Sequence, residues 1–211
     1  MRRQQGGWLG PLNRGEQLAR PCFRLHLVAH FFSHLLNPAL LALLVFGVQA
    51  HVLGDWLAGS VAIGTFSLFP GLLLWHFVRS GYLDKAYTDD RNKRATLLLL
   101  GALCYALGSA ALYGIGAPPL MLVTAASGVV NTLLVWWINR FYKISIHAAG
   151  VGGATCVLLI SVGSAAWPFL ISCPAIAWAR LYLRAHTPMQ VGAGGALGAG
   201  STALLYSAFI G

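Results

Sequence analysis

Long apolar stretches are the feature that most constrains this chain. A membrane-spanning helix needs about 20 predominantly apolar residues, and seven stretches meet or nearly meet that length. Lipid offers no partners to open backbone groups, and the alternating pattern of barrel strands is absent, so the stretches are expected to be helical. The sequence therefore predicts an all-α integral membrane protein, a bundle of about seven transmembrane helices. The predicted spans are 25–48, 58–78, 96–114, 119–138, 148–166, 167–183 and 189–210.

Composition supports this class and excludes others. Hydrophobic residues make up 57% of the chain and charged residues only 9%, whereas a soluble domain has about 45–50% and about 25%. A soluble enzyme, a disordered chain and a secreted disulfide scaffold are therefore excluded. Prolines should modify several spans: Pro38 and Pro70 are predicted to bend theirs, and Pro168 and Pro174 interrupt the sixth.

The basic residues are distributed on one side of the predicted bundle. All 14 Lys and Arg lie in four segments, 1–24, 79–94, 140–143 and 180–184, and seven spans place these segments on the same face. The positive-inside rule then puts the N-terminus in the cytoplasm and the C-terminus across an inner, cytoplasmic-type membrane. We expect a basic cytoplasmic tail at 1–24 and one helical membrane domain at 25–211. The expected partners of the basic residues are membrane lipids, not nucleic acid.

Small residues are concentrated near the C-terminus. The run at 192–200 has glycines spaced GxGxxxG, but it lies within an apolar stretch and follows no strand. Close packing between helices explains it better than a dinucleotide loop does. The same packing is predicted for Gly150, Gly152 and Gly153.

Three polar segments lie on the basic face, at 84–94, 143–150 and 179–190, and they contain the candidate catalytic and phosphate-binding residues. His147 and His186 each lie where a loop enters a helix, beside Ser145 or Arg180. Two histidines with several arginines suit attack on a phosphate ester. Arginine binds phosphate oxygens in a bidentate manner, while one imidazole attacks phosphorus and the other protonates the leaving group.

The three segments resemble the signatures of the type-2 phosphatidic acid phosphatase superfamily, in the family's order and over about residues 84–200. Arg180 and His186 match its SR-x5-H-x3-D signature, Ser145 and His147 match PSGH, and Arg94 matches K-x6-RP weakly. The resemblance implies a cofactor-free and metal-free hydrolase of a lipid phosphate or prenyl diphosphate. It makes His186 the nucleophile that forms a phosphohistidine and His147 the general acid. The residues expected to hold the phosphate are Arg180, Arg94, Ser145 and Lys143.

Several signature positions differ from the family. Gln190 replaces the aspartate expected to orient His186, and a glutamine accepts a hydrogen bond without stabilising an imidazolium by charge. The comparable change in a serine protease triad costs about 10⁴ in turnover. Tyr87 and Ala95 also replace a lysine and a proline. Further differences are Ile144, Ile146 and Ala179. Two functions therefore stay open: a divergent phosphatase, and a non-catalytic structural subunit of a larger membrane complex on the same scaffold.

Two other patterns suggest different chemistry. Asp84, Asp89 and Asp90 resemble the aspartate-rich loop of membrane prenyltransferases, but no acidic residue follows Asp90 to form the second loop those enzymes need. Histidines also recur along the first span at 26, 30 and 34, on one face of a helix. If the protein is a subunit of a membrane complex, two of these histidines and a third in the second span could bind a haem or a chlorophyll-type pigment. The candidate ligands are His30, His34 and His76.

Overall fold

The computed structural model describes residues 23–83 and 90–210, and within these ranges the chain forms helices without strands. This confirms the all-α prediction. Residues 1–22, which form most of the predicted basic tail, and residues 84–89, which carry Asp84, Lys85 and Asp89, lie outside the described part. The helices are α1 Phe23–Leu35, α2 Pro38–Leu53, α3 Trp56–Ile63, α4 Phe69–Arg79, α5 Arg91–Gly114, α6 Pro119–Ile138, α7 Ile146–Val162, α8 Ser172–Tyr182 and α9 Pro188–Phe209. A π-helical segment, Gly64–Leu68, joins α3 to α4, and a 3-10 segment, Gly163–Ile171, joins α7 to α8.

Several helices could cross a membrane. Four helical stretches among the described residues are long and apolar enough, namely Trp56–Arg79, Asn92–Gly114, Pro119–Ile138 and Ile146–Tyr182. A fifth is obtained if the bent pair α1–α2 counts as one span. These lengths and compositions agree with an integral membrane protein.

The α1–α2 pair bends by 52° at Asn37 and Pro38. Proline has no N–H to continue the hydrogen-bond ladder, so a helix breaks before it and a new one starts there. Asn37 caps α2, because its Oδ1 accepts from the Leu40 N–H at 3.0 Å, and its Nδ2 donates to the His34 carbonyl at 2.7 Å. The predicted bend at Pro38 is confirmed. At Pro70 the stretch Trp56–Arg79 stays one helix, because the π-helical segment ahead of α4 accommodates the proline.

The stretch Ile146–Tyr182 folds back on itself. A continuous helix of 37 residues would measure about 55 Å, which far exceeds the hydrocarbon core of about 30 Å. Gly163 has φ +60° and ψ −137°, a conformation favoured by glycine, and the chain turns there. Thr155 Oγ1 on α7 consequently lies 3.6 Å from Cys173 Sγ on α8. The turn lies close to the predicted boundary between the fifth and sixth spans.

Helices α7 and α9 pack closely through small residues. A Cβ on Gly198 would overlap the backbone of Ala149, and one on Gly152 would overlap the carbonyl of Gly195. The predicted close packing is therefore confirmed for Gly152, Gly194 and Gly198, whereas a Cβ on Gly192 or Gly200 would meet no atom within 4 Å. At the far end of this pair, buried Gln49 Nε2 donates to Thr124 Oγ1 at 2.7 Å and ties α2 to α6. The close α7–α9 contact determines how the loops before both helices meet.

Candidate functional site

The first residues of α7 are held by Ser145. Its side chain is fully buried, and its Oγ accepts from the Ala148 N–H at 3.3 Å as the N-cap of the helix. Its backbone N–H donates to the Gln190 carbonyl at 3.1 Å, and Gly194 packs against its backbone with no room for a Cβ. Ser145 thus joins the α7 and α9 ends of the site. Its predicted contact with phosphate stays a prediction.

Helix α9 begins with a capping box of Thr187 and Gln190, and the glutamine also contacts His186. The Gln190 N–H donates to Thr187 Oγ1 at 3.4 Å, and the Thr187 N–H donates to Gln190 Oε1 at 3.1 Å. His186 Nδ1 lies 3.3 Å from the same Oε1. Because that oxygen only accepts, the proton of a neutral His186 lies on Nδ1 and its Nε2 carries the lone pair.

The surroundings of His186 keep its ring neutral. Burial, followed by the positive charges of Arg180 and Lys143, lowers the pKa of His186 to about 4, with a smaller contribution from Arg94. The hydrogen bond to Gln190 acts in the opposite direction. Near neutral pH the imidazole therefore has the free electron pair that a nucleophile requires.

Arg180 and His147 meet at the first helix. Arg180 is only 8% exposed, and its Nη1 donates to Ser33 Oγ at 2.8 Å. His147 is 4% exposed, and its ring donates a hydrogen bond to the backbone carbonyl of Ser33. Both residues come from one hairpin, because His147 begins α7 and Arg180 lies in the last turn of α8.

The predicted residues converge from three separate segments. The charges of Arg180, Lys143 and Arg94 all act on His186, and the charge of Arg180 also acts on His147. The start of α5, the loop before α7 and the end of α8 therefore lie near His186, at one end of the bundle. Two imidazoles among three cationic side chains can bind an anion and transfer protons to and from it.

The other histidines lie apart or at the edge of this cluster. His76 is exposed on α4, with its ring centroid 6.0 Å from that of Phe77. His30 is exposed on α1, where its Nε2 lies 3.2 Å from that of His26. His34 is also exposed, and it lies near enough to His147 for a positive charge on its ring to act on that residue. Within residues 23–83 and 90–210, no three or more His, Cys, Asp or Glu side chains group to hold a metal ion.

Ser33 belongs to none of the three polar segments in the sequence. The residue is 2% exposed and contacts both Arg180 and His147. One signal was available, since Ser33 is a small polar residue inside an apolar stretch and lies four residues before the Asn37–Pro38 break. Asp90, which the sequence placed in an acidic loop, caps α5 by accepting from the Asn92 N–H at 2.8 Å.

No family model matches this chain, and no curated protein or solved structure matches it.

Proposed function

We propose that this protein hydrolyses a lipid phosphate or prenyl diphosphate at the cytoplasmic face of a membrane, as a divergent type-2 phosphatidic acid phosphatase. One observation carries the proposal. Arg180 and His147 both contact Ser33, and the charges of Arg180, Lys143 and Arg94 act on the ring of His186. An anion-binding cluster with two imidazoles is the arrangement that phosphoryl transfer through a histidine requires.

The proposed reaction has two steps. In the first, His186 Nε2 forms a bond to phosphorus, the bond from phosphorus to the leaving oxygen breaks, and protonated His147 gives that oxygen a proton. In the second, neutral His147 accepts a proton from water, the water oxygen bonds to phosphorus, and the bond to His186 breaks. Arg180, Arg94 and Lys143 offset the charge on the phosphate oxygens in both steps.

His147 must carry two protons before the first step. Its bond to the Ser33 carbonyl keeps one ring nitrogen protonated and gives the other the lone pair. A bound phosphate group brings negative charge beside the ring and favours the imidazolium form. Substrate binding would thus prepare His147 as an acid, and product formation would leave it as a base.

A cavity next to α7 supports a substrate with a hydrocarbon chain. It has a volume of about 140 Å³ and lies between α2, α5, α6, α7 and α9. Leu41, Phe66, Ala149 and Gly150 are among its mostly apolar lining residues. An apolar cavity of about 150 Å³ can hold benzene, so this one has room for about one isoprene unit. Ile146, the neighbour of His147, also lines it.

The proposal includes seven spans with the site in the cytoplasm, supported by the basic residues around it and by the fold-back at Gly163. Single cysteines at Ser80 and Ile115 test the orientation, because both positions are exposed and follow the ends of two consecutive spans, α4 and α5. An impermeant maleimide added to intact cells should label Ile115→Cys and should label Ser80→Cys only after the membrane is opened. The reverse pattern contradicts the orientation.

Phosphate release by the purified protein tests the activity. A lipid phosphate and a prenyl diphosphate are the substrates, and brief incubation with a labelled substrate should trap phosphate on the protein. His186→Ala should abolish both turnover and trapping. His51→Ala, an exposed histidine on α2 beside Trp56, should change neither. Lack of turnover across a broad panel of such lipids contradicts the proposal.

A second function is favoured by the burial of His147 and Arg180 and by the amide of Gln190. A non-catalytic subunit of a membrane complex would use the same bonds to Ser33 to stabilise the bundle. That function predicts stoichiometric co-purification with other membrane chains, with or without a pigment. Isolation as a lone, colourless chain with phosphatase activity contradicts it.

A further inference from the structure

We infer that Ser33 is a positioning residue of the site, which orients Arg180 through its hydroxyl and His147 through its carbonyl. The inference rests on the proposed function and extends it to α1, a helix outside the three polar segments. Arg180 Nη1 donates to Ser33 Oγ at 2.8 Å, and the His147 ring donates to the Ser33 carbonyl. One residue therefore contacts both a phosphate-binding side chain and a proton-transferring side chain.

The break in the helix makes the Ser33 carbonyl accessible. In an unbroken α-helix this carbonyl would accept from the N–H four residues later, at Asn37. Here the Asn37 N–H donates instead to the backbone carbonyl of His34 at 3.3 Å, because the chain turns to start α2 at Pro38. The carbonyls of a last helical turn need partners from elsewhere, and His147 supplies one for Ser33.

The Ser33 hydroxyl restricts the orientation of the Arg180 side chain. An arginine side chain has many rotamers, and a buried guanidinium must be bonded to be tolerated. The 2.8 Å bond to Ser33 Oγ limits the directions in which the planar group of Arg180 can point. Packing between α1 and α8, with the Phe32 and Trp178 rings 6.4 Å apart and edge to face, keeps the two helices in this arrangement.

Three variants test the inference in the full-length protein. Ser33→Ala removes the hydroxyl, and Ser33→Thr retains it. Ser172→Ala is the matched control, because Ser172 is 8% exposed on the helix that carries Arg180, and its Oγ has no hydrogen-bond partner among the described residues. Each variant is measured for kcat and KM with a lipid phosphate, for binding of inorganic phosphate by calorimetry, and for thermal unfolding.

Ser33→Ala should lower both kcat and phosphate affinity by about 10- to 100-fold, the usual effect of losing a bond to a charged group or of misplacing a reacting group. Ser33→Thr should recover most of both, and Ser172→Ala should match the wild type. A purely structural role would lower the unfolding temperature and leave kcat per folded molecule and phosphate affinity unchanged, which overturns the inference.

The phosphate measurement separates this inference from the proposed function. If the wild type binds phosphate without turning over any lipid, and Ser33→Ala weakens that binding, Ser33 positions the site and the proposed hydrolysis is wrong. If the wild type hydrolyses lipids and Ser33→Ala behaves like Ser172→Ala, the hydrolysis stands and the inference is wrong. A wild type that neither binds phosphate nor turns over overturns both.

Discussion

The oxygen Oε1 of Gln190 lies 3.3 Å from Nδ1 of His186 and also accepts the Thr187 N–H. One amide therefore both caps α9 and selects the tautomer of the proposed nucleophile. Gln190 replaces the aspartate of the phosphatase signature, yet it still supplies a hydrogen bond that orients His186. What it lacks is the negative charge that would stabilise a protonated ring.

Restoring that charge should change the pH dependence of activity. Gln190→Glu keeps the length and the capping box, and its carboxylate should raise the pKa of His186 from about 4. Since the nucleophile must be neutral, the acid limb of the wild-type rate should begin only as pH drops towards 4, and the acid limb of the variant should begin at a higher pH. A pH–rate profile and the NMR titration of the ring proton measure this shift.

Met189→Glu is the control for this experiment, because it places the same charge on an adjacent residue that is 73% exposed. It should shift the acid limb much less than Gln190→Glu does. Equal shifts in the two variants would show that the oxygen of residue 190 does not act on the ring directly.

The same pKa predicts how His186 affects stability. The folded protein keeps this ring neutral down to about pH 4, whereas the unfolded chain binds a proton near pH 6.5. The contribution of His186 to stability is therefore fully present above pH 6.5 and is lost as pH falls from 6.5 to 4. His186→Gln should reduce the loss of unfolding temperature over this window, and an unchanged pH dependence contradicts the assignment.

A disulfide can test the fold-back between α7 and α8. Thr155→Cys should form a bond with native Cys173 under mild oxidation, because the two side chains already approach to 3.6 Å. Mass spectrometry of the unreduced digest should recover the linked peptides. Leu159→Cys, on the same helix but 37% exposed, is the control. Failure of Thr155→Cys to crosslink would favour a continuous helix.

Two glycines of α9 allow a matched test of helix packing. Gly198→Ala should destabilise the protein by about 1–3 kcal/mol, because its Cβ would overlap the backbone of Ala149. Gly200→Ala meets no atom within 4 Å and should stabilise the helix by up to about 1 kcal/mol. Unfolding in detergent measures both. Equal effects would contradict the close α7–α9 contact.

Filling the cavity should show whether it binds the hydrocarbon chain of the substrate. Loss of such binding should affect only substrates that have a long chain. Ala154→Leu adds side-chain volume to a cavity-lining position. Hydrolysis of a long-chain lipid phosphate should therefore fall about tenfold or more, which is the effect of losing about one methylene contact in an apolar pocket. Hydrolysis of phenyl phosphate should stay unchanged. Ala110→Leu, exposed on α5, should affect neither. A parallel loss on both substrates contradicts a role for the cavity.

Local features of this fold were predictable, and long-range contacts were not. The bend at Pro38 and the capping box of Thr187 and Gln190 depend on neighbouring residues, so the sequence contains their signals. The assignment of the polar segments to the cytoplasmic face rests on the positive-inside rule and stays a prediction. The bond between Ser33 and Arg180 joins residues 147 positions apart, and no local pattern encodes which apolar helix lies beside the last basic turn.

The hairpin of α7 and α8 also determines where the chain can tolerate insertions. His147 and Arg180 lie at its open end, and the turn at 163–171 lies at the other. Lengthening that turn leaves the phase of both helices unchanged, so a tag could be placed there without moving the two side chains. Deleting one residue within α8 would rotate Arg180 by about 100° around the helix axis, away from Ser33.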